Sequence, residues 1–368
     1  MSSILAEINS FQADLLSWFK VNQREMPWRA SWGTFSDPYH VWLSEIMLQQ
    51  TTVVTVIPYF LKFIEAWPDV YALATAEEEE ILTAWAGLGY YARARNLHKC
   101  AKMVVAQFAG EFPNNEKALL ALPGIGPYTA SAITSIAFNK QSVAVDGNVE
   151  RVVSRLFKIE NPLPDSKVKI KKLTKKISNE NDYPSAFTQA LMELGALVCT
   201  PKTPKCTACP VKQQCAVAGL DNITEYPRRK KKSKSKPVRF AEAYWIYNEN
   251  TQKFFVRKRP NKGLLANMME VPTSTLEGVE DKNAMPKGLS REYMIELVRL
   301  DQQIVHVFTH FKLILNINIL NSRHDVKDPF FKDGNWIGFD EVEYFPFPTL
   351  MKKVINTVKE NPFLYLSN

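Results

Sequence analysis

Apolar residues recur with a helical period along the first part of the chain, up to about residue 227. Clear examples are the segments 46–57 and 190–197, where apolar residues return every three to four positions. Few runs in this part alternate apolar and polar residues as a half-buried strand does. The pattern therefore predicts a nearly all-α domain over residues 1–227.

The pattern changes to that of strands after Arg239. The segment YWIYNENTQKFFVRK predicts a hairpin that turns at residues 248–250, and QQIVHVF and KLILNINIL predict two further strands. A final helix is expected from about Thr349 to Val358. Residues 240–368 are therefore predicted to form a second, α+β domain, which makes the fold class multidomain.

The excess positive charge lies in one tract between these two parts. The formal net charge of the 368 residues is +8, and residues 228–239 contain eight Lys or Arg and no acid. The net charge of the rest of the chain is therefore zero. The tract has no large apolar residue except Val238 and predicts an exposed linker. Two interpretations of the tract remain open: a hinge that increases solubility, and a surface that contacts a polyanion such as DNA.

A second lysine-rich segment lies inside the helical part. Six lysines between Lys167 and Lys176 surround Ile170, Leu173 and Ile177. Such a pattern usually marks the solvated face of an amphipathic helix, and contact with DNA is the less favoured interpretation. The acidic run 77–80 is expected to open another helix, where carboxylates complement the helix dipole.

Four cysteines fall within seventeen residues near the end of the helical part, spaced Cys199-x6-Cys206-x2-Cys209-x5-Cys215. Three nearby prolines force turns, so the segment predicts an irregular loop over 199–215. Four thiolates suit a four-iron four-sulfur cluster or zinc. The cluster is favoured because zinc sites usually have two CxxC pairs, whereas here only Cys206 and Cys209 form one.

A disulfide framework is the least favoured interpretation of these cysteines. The N-terminal segment MSSILAEINSFQADLLSWF has the pattern of an amphipathic helix and not of a signal peptide, so a reducing, cytoplasmic location is expected. No apolar stretch approaches the roughly 18 residues of a membrane span, which predicts a soluble protein without a membrane partner. The isolated Cys100 is expected to be an inert buried thiol.

The segment LPGIGPYTA, residues 122–130, predicts a tight turn before an apolar helix. Gly124 and Gly126 would let a phosphate approach backbone N–H groups, which gives a DNA contact without sequence preference. About 20 residues later, Asp146 lies in AVDGNVERV. From the local pattern alone, the preferred interpretation of Asp146 is a helix N-cap.

Together these segments resemble the helix-hairpin-helix DNA glycosylase superfamily, specifically the adenine DNA glycosylases. WLSEIMLQQT, GLGYYARARNLH, LPGIGPYTA, VDGNV, ELGALVC and the cysteine loop are similar to that family's motifs, in its order. The resemblance implies a Nudix-like lesion-recognition domain over 240–368. It also implies one 4Fe-4S cluster held by Cys199, Cys206, Cys209 and Cys215, a monovalent cation at the hairpin turn, and no nucleotide cofactor.

The activity implied by the resemblance is excision of adenine mispaired with 8-oxoguanine or guanine in duplex DNA. A monomer is expected, associated with the nucleoid in the cytoplasm, or in the nucleus if the source is eukaryotic. By resemblance, Glu45 is the general acid that protonates adenine N7, Asp146 stabilises the sugar cation, and Asn148 assists Asp146. Such a division between two carboxylates is the one that glycosidases use. The apolar neighbours Trp42 and Leu43 are expected to raise the pKa of Glu45.

Tyr128 distinguishes this chain from the related endonuclease III branch. In that branch the helix after the hairpin carries a lysine that forms a Schiff base and cleaves the strand. A phenol cannot form an imine, and the segment TASAITSIAF contains no lysine before Lys140. The sequence therefore predicts a monofunctional enzyme that leaves an abasic site.

Adenine must leave the duplex to be reached. By resemblance, Gln50 wedges into the stack with support from Gln49, and Leu88 and Tyr90 press against the orphaned 8-oxoguanine. The residues expected to line the adenine pocket are Trp28, Arg29, Leu48 and Gln189, although Trp28 and Leu48 could equally be core residues.

Two features depart from the family pattern. The loop 30–40 is longer than in typical members. The Phe-Ser-His motif of the second domain is written here as Phe308, Thr309 and His310. Threonine keeps the hydroxyl that would contact 8-oxoguanine but adds a methyl group.

Two other functional classes remain as alternatives. GLLANMMEVP resembles the opening of a Nudix box, but Arg291-Glu292 is not followed by the Glu-Glu pair that would hold magnesium, so a Nudix hydrolase is disfavoured. A non-catalytic DNA-binding protein is disfavoured by the presence of both Glu45 and Asp146.

Overall fold

A computed structural model describes residues 2–179, 181–230, 236–274, 298–322 and 334–361. The chain divides into two compact units. The first, called here the helical unit, comprises residues 1–75 and 96–232. The second, the sheet unit, comprises residues 76–95 and 233–368. The division differs from the boundary expected from the sequence at residues 76–95, which cluster with the C-terminal part of the chain.

The helical periodicity of the first part is confirmed by eleven helices within its described residues. They are α1 (Ser2–Asn22), α2 (Pro38–Leu48), α3 (Val53–Ala66), α4 (Val70–Thr75), α5 (Glu78–Ala84), α6 (Ala92–Phe108), α7 (Glu116–Leu120), α8 (Pro127–Ile136), α9 (Gly147–Leu156), α10 (Lys167–Ser178) and α11 (Pro184–Leu197). No helix in the described ranges combines the length and apolar character that a bilayer span requires.

Local signals explain where several helices begin. The carboxylate of Asp37 accepts a hydrogen bond from the Tyr39 N–H at 2.7 Å, and Pro38 occupies the first turn of α2. The acidic run forms a capping box in which Glu77 and Glu80 satisfy each other's backbone N–H groups at the start of α5. The expectation that this run opens a helix is confirmed.

The core of the helical unit around the cysteine loop is built by α1, α9, α10 and α11. Phe11 and Leu15 from α1 pack with Val153 of α9, Ile170 of α10 and Leu194 of α11. Because α9 and α11 carry residues of the candidate site, this core fixes the position of both helices. Cys100 is fully buried elsewhere in the unit, and burial raises the pKa of its thiol to about 12, as expected of an inert cysteine.

The sheet unit contains seven described strands. They are β1 (Val238–Asn248), β2 (Lys253–Lys258), β3 (Met269–Glu270), β4 (Val298–Arg299), β5 (Ile304–Val307), β6 (Lys312–Ser322) and β7 (Gly334–Ile337). The order is β3-β2-β1-β6-β4, with β5 on β6 and β7 on β2. Strands β1 and β2 form the expected hairpin, whereas β1 and β6 pair in parallel from Val238 with Lys312 onward.

One face of the sheet carries the core of this unit. Trp245 of β1 stacks on Phe254 of β2 with ring centroids 4.3 Å apart, and Leu315 of β6 is fully buried in the same core. The expected C-terminal helix is confirmed as α12 (Thr349–Lys359), which contributes Leu350 to the same core. The mixed helices and strands confirm the α+β class.

Residues 76–95 are tied to the rest of the sheet unit by polar contacts. Glu79 pairs with Lys258 at 2.8 Å, and the Arg95 guanidinium donates to the Ala266 carbonyl at 2.7 Å. The segment resembling a Nudix box opening, residues 263–272, forms turns and β3. Residues 291–292 lie outside the described part of the chain, as do residues 231–235 of the basic tract.

Candidate active site

A cavity of about 1020 Å³ lies in the helical unit, between α2, α8, α9 and α11. It brings together residues that the sequence placed in separate motifs, and its volume is at the upper end of the range for ligand-binding sites. All four residues predicted as catalytic, all four predicted for the adenine pocket and both predicted wedge glutamines line it: Glu45, Tyr128, Asp146, Asn148, Trp28, Arg29, Leu48, Gln189, Gln49 and Gln50.

Glu45 has the environment of a carboxylic acid that can hold a proton near neutral pH. It lies on α2 and its side chain is 8% exposed. Burial raises the pKa of Glu45 to about 7, while the hydrogen bond from Tyr128 lowers it and the nearby Asp146 raises it. The expected rise in pKa is confirmed, so Glu45 can donate a proton at neutral pH.

Asp146 is both an N-cap and a wall of the cavity. Its Oδ1 accepts from the Val149 N–H at 2.7 Å, which caps α9. Its Oδ2 accepts from Asn148 Nδ2 at 2.9 Å. Burial raises the pKa of Asp146, and the hydrogen bonds from Val149 and Asn148 oppose that rise by stabilising the ionised form.

Tyr128 lies in the first turn of α8, the position that follows the hairpin turn. Burial and the negative charges of Glu45 and Asp146 raise its pKa well above the ordinary value. The phenol is therefore neutral across the physiological range and acts as a hydrogen-bond donor to Glu45.

A further buried carboxylate, Glu193, was not predicted from the sequence; it lines the cavity and is 1% exposed. Arg24 binds it through Nε at 2.6 Å, and Arg29 Nη2 approaches at 3.2 Å. Burial alone would raise the pKa of Glu193, but the hydrogen bonds from Arg24 and the charge of Arg29 bring it below its ordinary value. Arg29 Nε also donates to Gln189 Oε1 at 3.0 Å, so Glu193 fixes two predicted pocket residues.

A signal for Glu193 was present in the sequence. It is the one charged residue of α11 and lies four residues after Gln189, so both side chains are on one face of the helix. An acid in such a place requires a buried partner. The partner itself could not be read from the pattern, because Arg24 lies 169 positions earlier.

The candidate pocket residue Trp28 has two kinds of contact. It packs edge-on against Phe60 with ring centroids 5.1 Å apart, as a core residue does, and it also lines the cavity.

The two glutamines predicted to act in the duplex lie just after the end of α2. Gln50 is exposed with a φ of 60°, and Gln49 Nε2 donates to Thr129 Oγ1 at 3.5 Å.

Helices α9 and α11 approach each other closely beside Asn148. A Cβ atom at Gly195 would lie 2.6 Å from the Asn148 Cβ, so only glycine fits there. Arg151 fills the next turn, donating to Asn148 Oδ1 at 2.8 Å and to the Cys199 carbonyl at 2.7 Å. The backbone of the cysteine loop is thus connected to the side chain that binds Asp146.

The cysteine loop is irregular, as predicted, with one short 3-10 turn over Cys206–Ala208. All five cysteines are free thiols, which is at variance with a disulfide framework. Within the described ranges, no group of three or more His, Cys, Asp or Glu is close enough to hold a metal ion. The four loop cysteines nevertheless interact electrostatically with one another.

The surroundings of these thiols fit an anionic, sulfur-ligated group. The backbone N–H groups of Val211 and Val217 donate to Cys209 and Cys215, and Arg155 Nη1 donates to Cys199 Sγ at 3.3 Å. Burial raises the pKa of the Cys209 thiol to about 11, and the Val211 N–H opposes that rise. Hydrogen bonds to the sulfurs and a buried cation are the means by which proteins hold iron-sulfur clusters.

The hairpin turn is formed as predicted between α7 and α8. Gly124 has a φ of +78°, and a Cβ there would lie 2.9 Å from the Asn96 Cβ. Gly126 is the N-cap of α8 and is followed by Pro127. The turn therefore requires glycine at position 124, both because φ is positive and because a side chain would collide with Asn96.

The remaining predicted DNA contacts lie in the sheet unit. Tyr90 is 47% exposed, with a φ of 49°, and its Oη lies 2.6 Å from Thr309 Oγ1 in a hydrogen bond. His310 is exposed, whereas Phe308 packs on Phe311 with ring centroids 4.8 Å apart. Leu88 is only 5% exposed, so in this conformation it offers little surface to DNA.

Known protein families match both the helical part and the C-terminal part of this chain. The family model described as HhH-GPD superfamily base excision DNA repair protein matches residues 43–180, and the model described as NUDIX domain matches residues 243–357. A solved structure titled as a thermostable thymine-DNA glycosylase has 30% identity and a TM-score of 0.51, covering 57% of this chain and 96% of that one.

Three similar curated proteins are named adenine DNA glycosylase. The one from Arabidopsis thaliana is 35% identical, covering 85% of this chain and 57% of that protein. The one from Buchnera aphidicola subsp. Schizaphis graminum is 31% identical, covering 95% of this chain and 99% of that protein. The one from Homo sapiens is 33% identical, covering 95% of this chain and 74% of that protein.

Proposed function

Since this chain belongs to the adenine DNA glycosylase family, we propose that it hydrolyses the N-glycosidic bond of adenine opposite 8-oxoguanine or guanine in duplex DNA. The observation that carries the proposal is the pairing of Glu45 and Asp146 in one cavity. Burial raises the pKa of Glu45 to about 7, and it also raises the pKa of Asp146, where hydrogen bonds from Val149 and Asn148 oppose the rise and favour the ionised form. One carboxyl group is thus suited to give a proton and the other to stay charged.

Each carboxylate has its own part in the reaction. Loss of adenine builds positive charge on the sugar, and the base leaves more easily once N7 is protonated. Glu45 gives that proton and then assists the attacking water, while Asp146 stabilises the developing cation. Asn148 keeps Asp146 in place through its amide hydrogen bond.

The extruded adenine is proposed to lie among Trp28, Arg29, Leu48 and Gln189. The Glu193 carboxylate prevents Arg29 from moving, and Arg29 in turn orients the Gln189 amide. A fixed amide can distinguish the hydrogen-bonding edge of one base from another. Gln50, supported by Gln49, would fill the space that adenine leaves in the duplex, at the cost of a few kcal/mol of unstacking.

Tyr128 makes the proposed enzyme monofunctional. The phenol donates to Glu45 and has no amine that could capture the sugar. The product is therefore an abasic site in an intact strand. The hairpin turn with Gly124 and Gly126 would bind a phosphate through backbone N–H groups, with a monovalent cation able to sit at the same turn.

Recognition of the opposite base is proposed for the sheet unit, with residues 228–239 as the basic linker. 8-Oxoguanine carries a hydrogen on N7, where guanine has an acceptor. The hydroxyl of Thr309 can accept that hydrogen, and its bond to Tyr90 holds it in one orientation. Phe308 and His310 flank Thr309, and Leu88 belongs to the same unit through residues 76–95.

A 4Fe-4S cluster held by Cys199, Cys206, Cys209 and Cys215 is the proposed cofactor. The all-cysteine donor set and the hydrogen bonds to its sulfurs support it. Its contribution here would be to order the loop 199–215. Through Arg151, the ordered loop backbone would help to orient Asn148.

The proposal is tested by incubating the full chain with duplexes that contain adenine opposite 8-oxoguanine, followed by alkali. We expect strand breaks at the adenine with the unmodified chain and a severe loss of single-turnover excision in Asp146→Asn. Asparagine caps helices as well as aspartate does, so this variant keeps the start of α9 while it removes the charge and the oxygen that accepts from the Asn148 amide. Normal excision by Asp146→Asn, or none by the unmodified chain, would overturn the proposal.

A further inference from the structure

Helix α10 presents a row of cations to solvent, called here the lysine face. It comprises five exposed residues: Lys169, Lys171, Lys172, Lys175 and Lys176. Within the described ranges none of the five has an acidic partner, whereas Lys167, at the start of the helix, pairs with Glu150 at 3.1 Å. The opposite side of α10 is fixed in the core by Ile170 and Ile177, so the lysines cannot turn inward.

Like charges within the lysine face repel one another along the helix. Lys171 and Lys175 are four residues apart, as are Lys172 and Lys176, and like charges at this spacing repel. Lys169 lies in the first turn, which contains no acid, where the helix dipole disfavours a cation. Lys175 and Lys176 lie in the last turn, where the helix dipole favours cations, but no acid of the described residues offsets the repulsion among the lysines. A bound polyanion would offset it.

The position of α10 relates the lysine face to the candidate active site. Lys167 lines the cavity that contains Glu45 and Asp146, whereas Lys176 lines a separate cavity of about 610 Å³. The helix therefore runs away from the active site over about 18 Å, and its lysines four residues apart are separated by about 6 Å along the axis. The spacing suits a row of phosphates.

We propose that the lysine face binds the phosphate backbone of the substrate duplex beside the extruded adenine. The inference rests on the proposed function and adds a second contact region that the hairpin turn, the wedge residues and the sheet unit do not provide. Each lysine on a phosphate would release counterions and contribute to the salt dependence of binding, without contributing sequence preference.

The test uses the full chain in which Lys171, Lys172 and Lys175 are replaced by Gln. The matched control replaces Lys62, Lys99 and Lys102, three exposed lysines on α3 and α6, and so has the same net charge. Binding is measured by fluorescence anisotropy between 50 and about 250 mM salt on a duplex of about 30 base pairs. Its adenosine carries a 2′-fluoro group opposite 8-oxoguanine, which slows excision.

We expect the slope of log Kobs against log salt to become shallower by about 1 to 3 in the lysine-face variant, and affinity to fall about tenfold or more near 150 mM salt. The control should change little. The variant should also melt close to the temperature of the unmodified chain, because the relieved repulsion within α10 offsets the loss of Lys175 from its last turn. Excision at saturating protein should be unchanged, which separates a lost contact from a lost activity.

An unchanged salt slope in the lysine-face variant would overturn the proposal. The lysine face would then be either a solvated surface or a binding site for an acidic protein. An equal loss in the control would overturn it as well, because net charge alone would then explain the effect. A failure of the proposed function has a different signature, since the unmodified chain would then bind the duplex without excising adenine.

Discussion

Replacing Glu45 by Gln should have opposite effects on activity and on stability. The amide cannot give a proton to adenine, so single-turnover excision should fall roughly 100- to 10,000-fold. The same amide has no charge to bury, so the variant should be more stable than the unmodified chain above neutral pH. A residue that only packs the core would not show this combination.

The size of the stability effect follows from the pKa of Glu45, which rises from its ordinary value of 4.5 to about 7 on folding, chiefly through burial. Below pH 4.5 the carboxyl group is protonated in both states. Between pH 4.5 and 7 the folded state holds a proton that the unfolded state has lost, so the free energy of unfolding falls as pH rises. The total loss is about 3 kcal/mol, reached above pH 7.

The assay compares Glu45→Gln with the unmodified chain by calorimetric melting and by single-turnover excision, both from pH 5 to 8.5. The difference in melting temperature should grow in favour of the variant up to about pH 7 and then level off. Excision by the unmodified chain should fall about tenfold per pH unit above 7, because only protonated Glu45 donates. The exposed Glu65 provides the control, since Glu65→Gln should change neither profile.

Two results would refute the reasoning. A melting difference that does not vary with pH would mean that Glu45 titrates normally in the folded chain. Near-normal excision by Glu45→Gln would mean that another group protonates the base.

Three further predictions follow from the candidate site and the sheet unit. Tyr128→Lys should gain some strand cleavage that borohydride traps, because an amine then lies in the cavity; trapping by the unmodified chain would show that Tyr128 does not make it monofunctional. The purified chain should contain about four irons, and Cys206→Ser or Cys209→Ser should lose iron and solubility or DNA affinity; one zinc and no iron would exclude the cluster. Thr309→Ala should lower the ratio of excision opposite 8-oxoguanine to excision opposite guanine by about fivefold to a hundredfold, since one hydrogen bond is worth about 1–3 kcal/mol; an unchanged ratio would require another reader of the lesion.

The elements of both units could be predicted because their signals are local. Helical periodicity, the turn at residues 248–250 and the N-cap at Asp146 each depend on a few neighbouring residues. The raised pKa of Glu45 was also predictable, because an acid among apolar residues of a helix loses its hydration on folding. In each case the residue and the neighbours that determine its conformation or its pKa lie within one helix or turn.

Features that depend on pairing between distant segments could not be predicted in the same way. Glu193 pairs with Arg24 across 169 positions, and Tyr90 contacts Thr309 across 219. The clustering of residues 76–95 with the sheet unit also depends on contacts such as that between Glu79 and Lys258. Hydrophobic patterns indicate which face of an element is buried, but not which distant charge meets it.

The most direct test of the central claim is mass spectrometry of a reaction stopped before alkali treatment. The full chain is incubated in single turnover with a duplex that has one adenine opposite 8-oxoguanine. We expect free adenine and an intact strand that is lighter by the mass of adenine less that of one water, with both products strongly reduced when Glu45 is replaced by Gln. Unaltered DNA with the unmodified chain, or a strand already cleaved at the adenine, would contradict it.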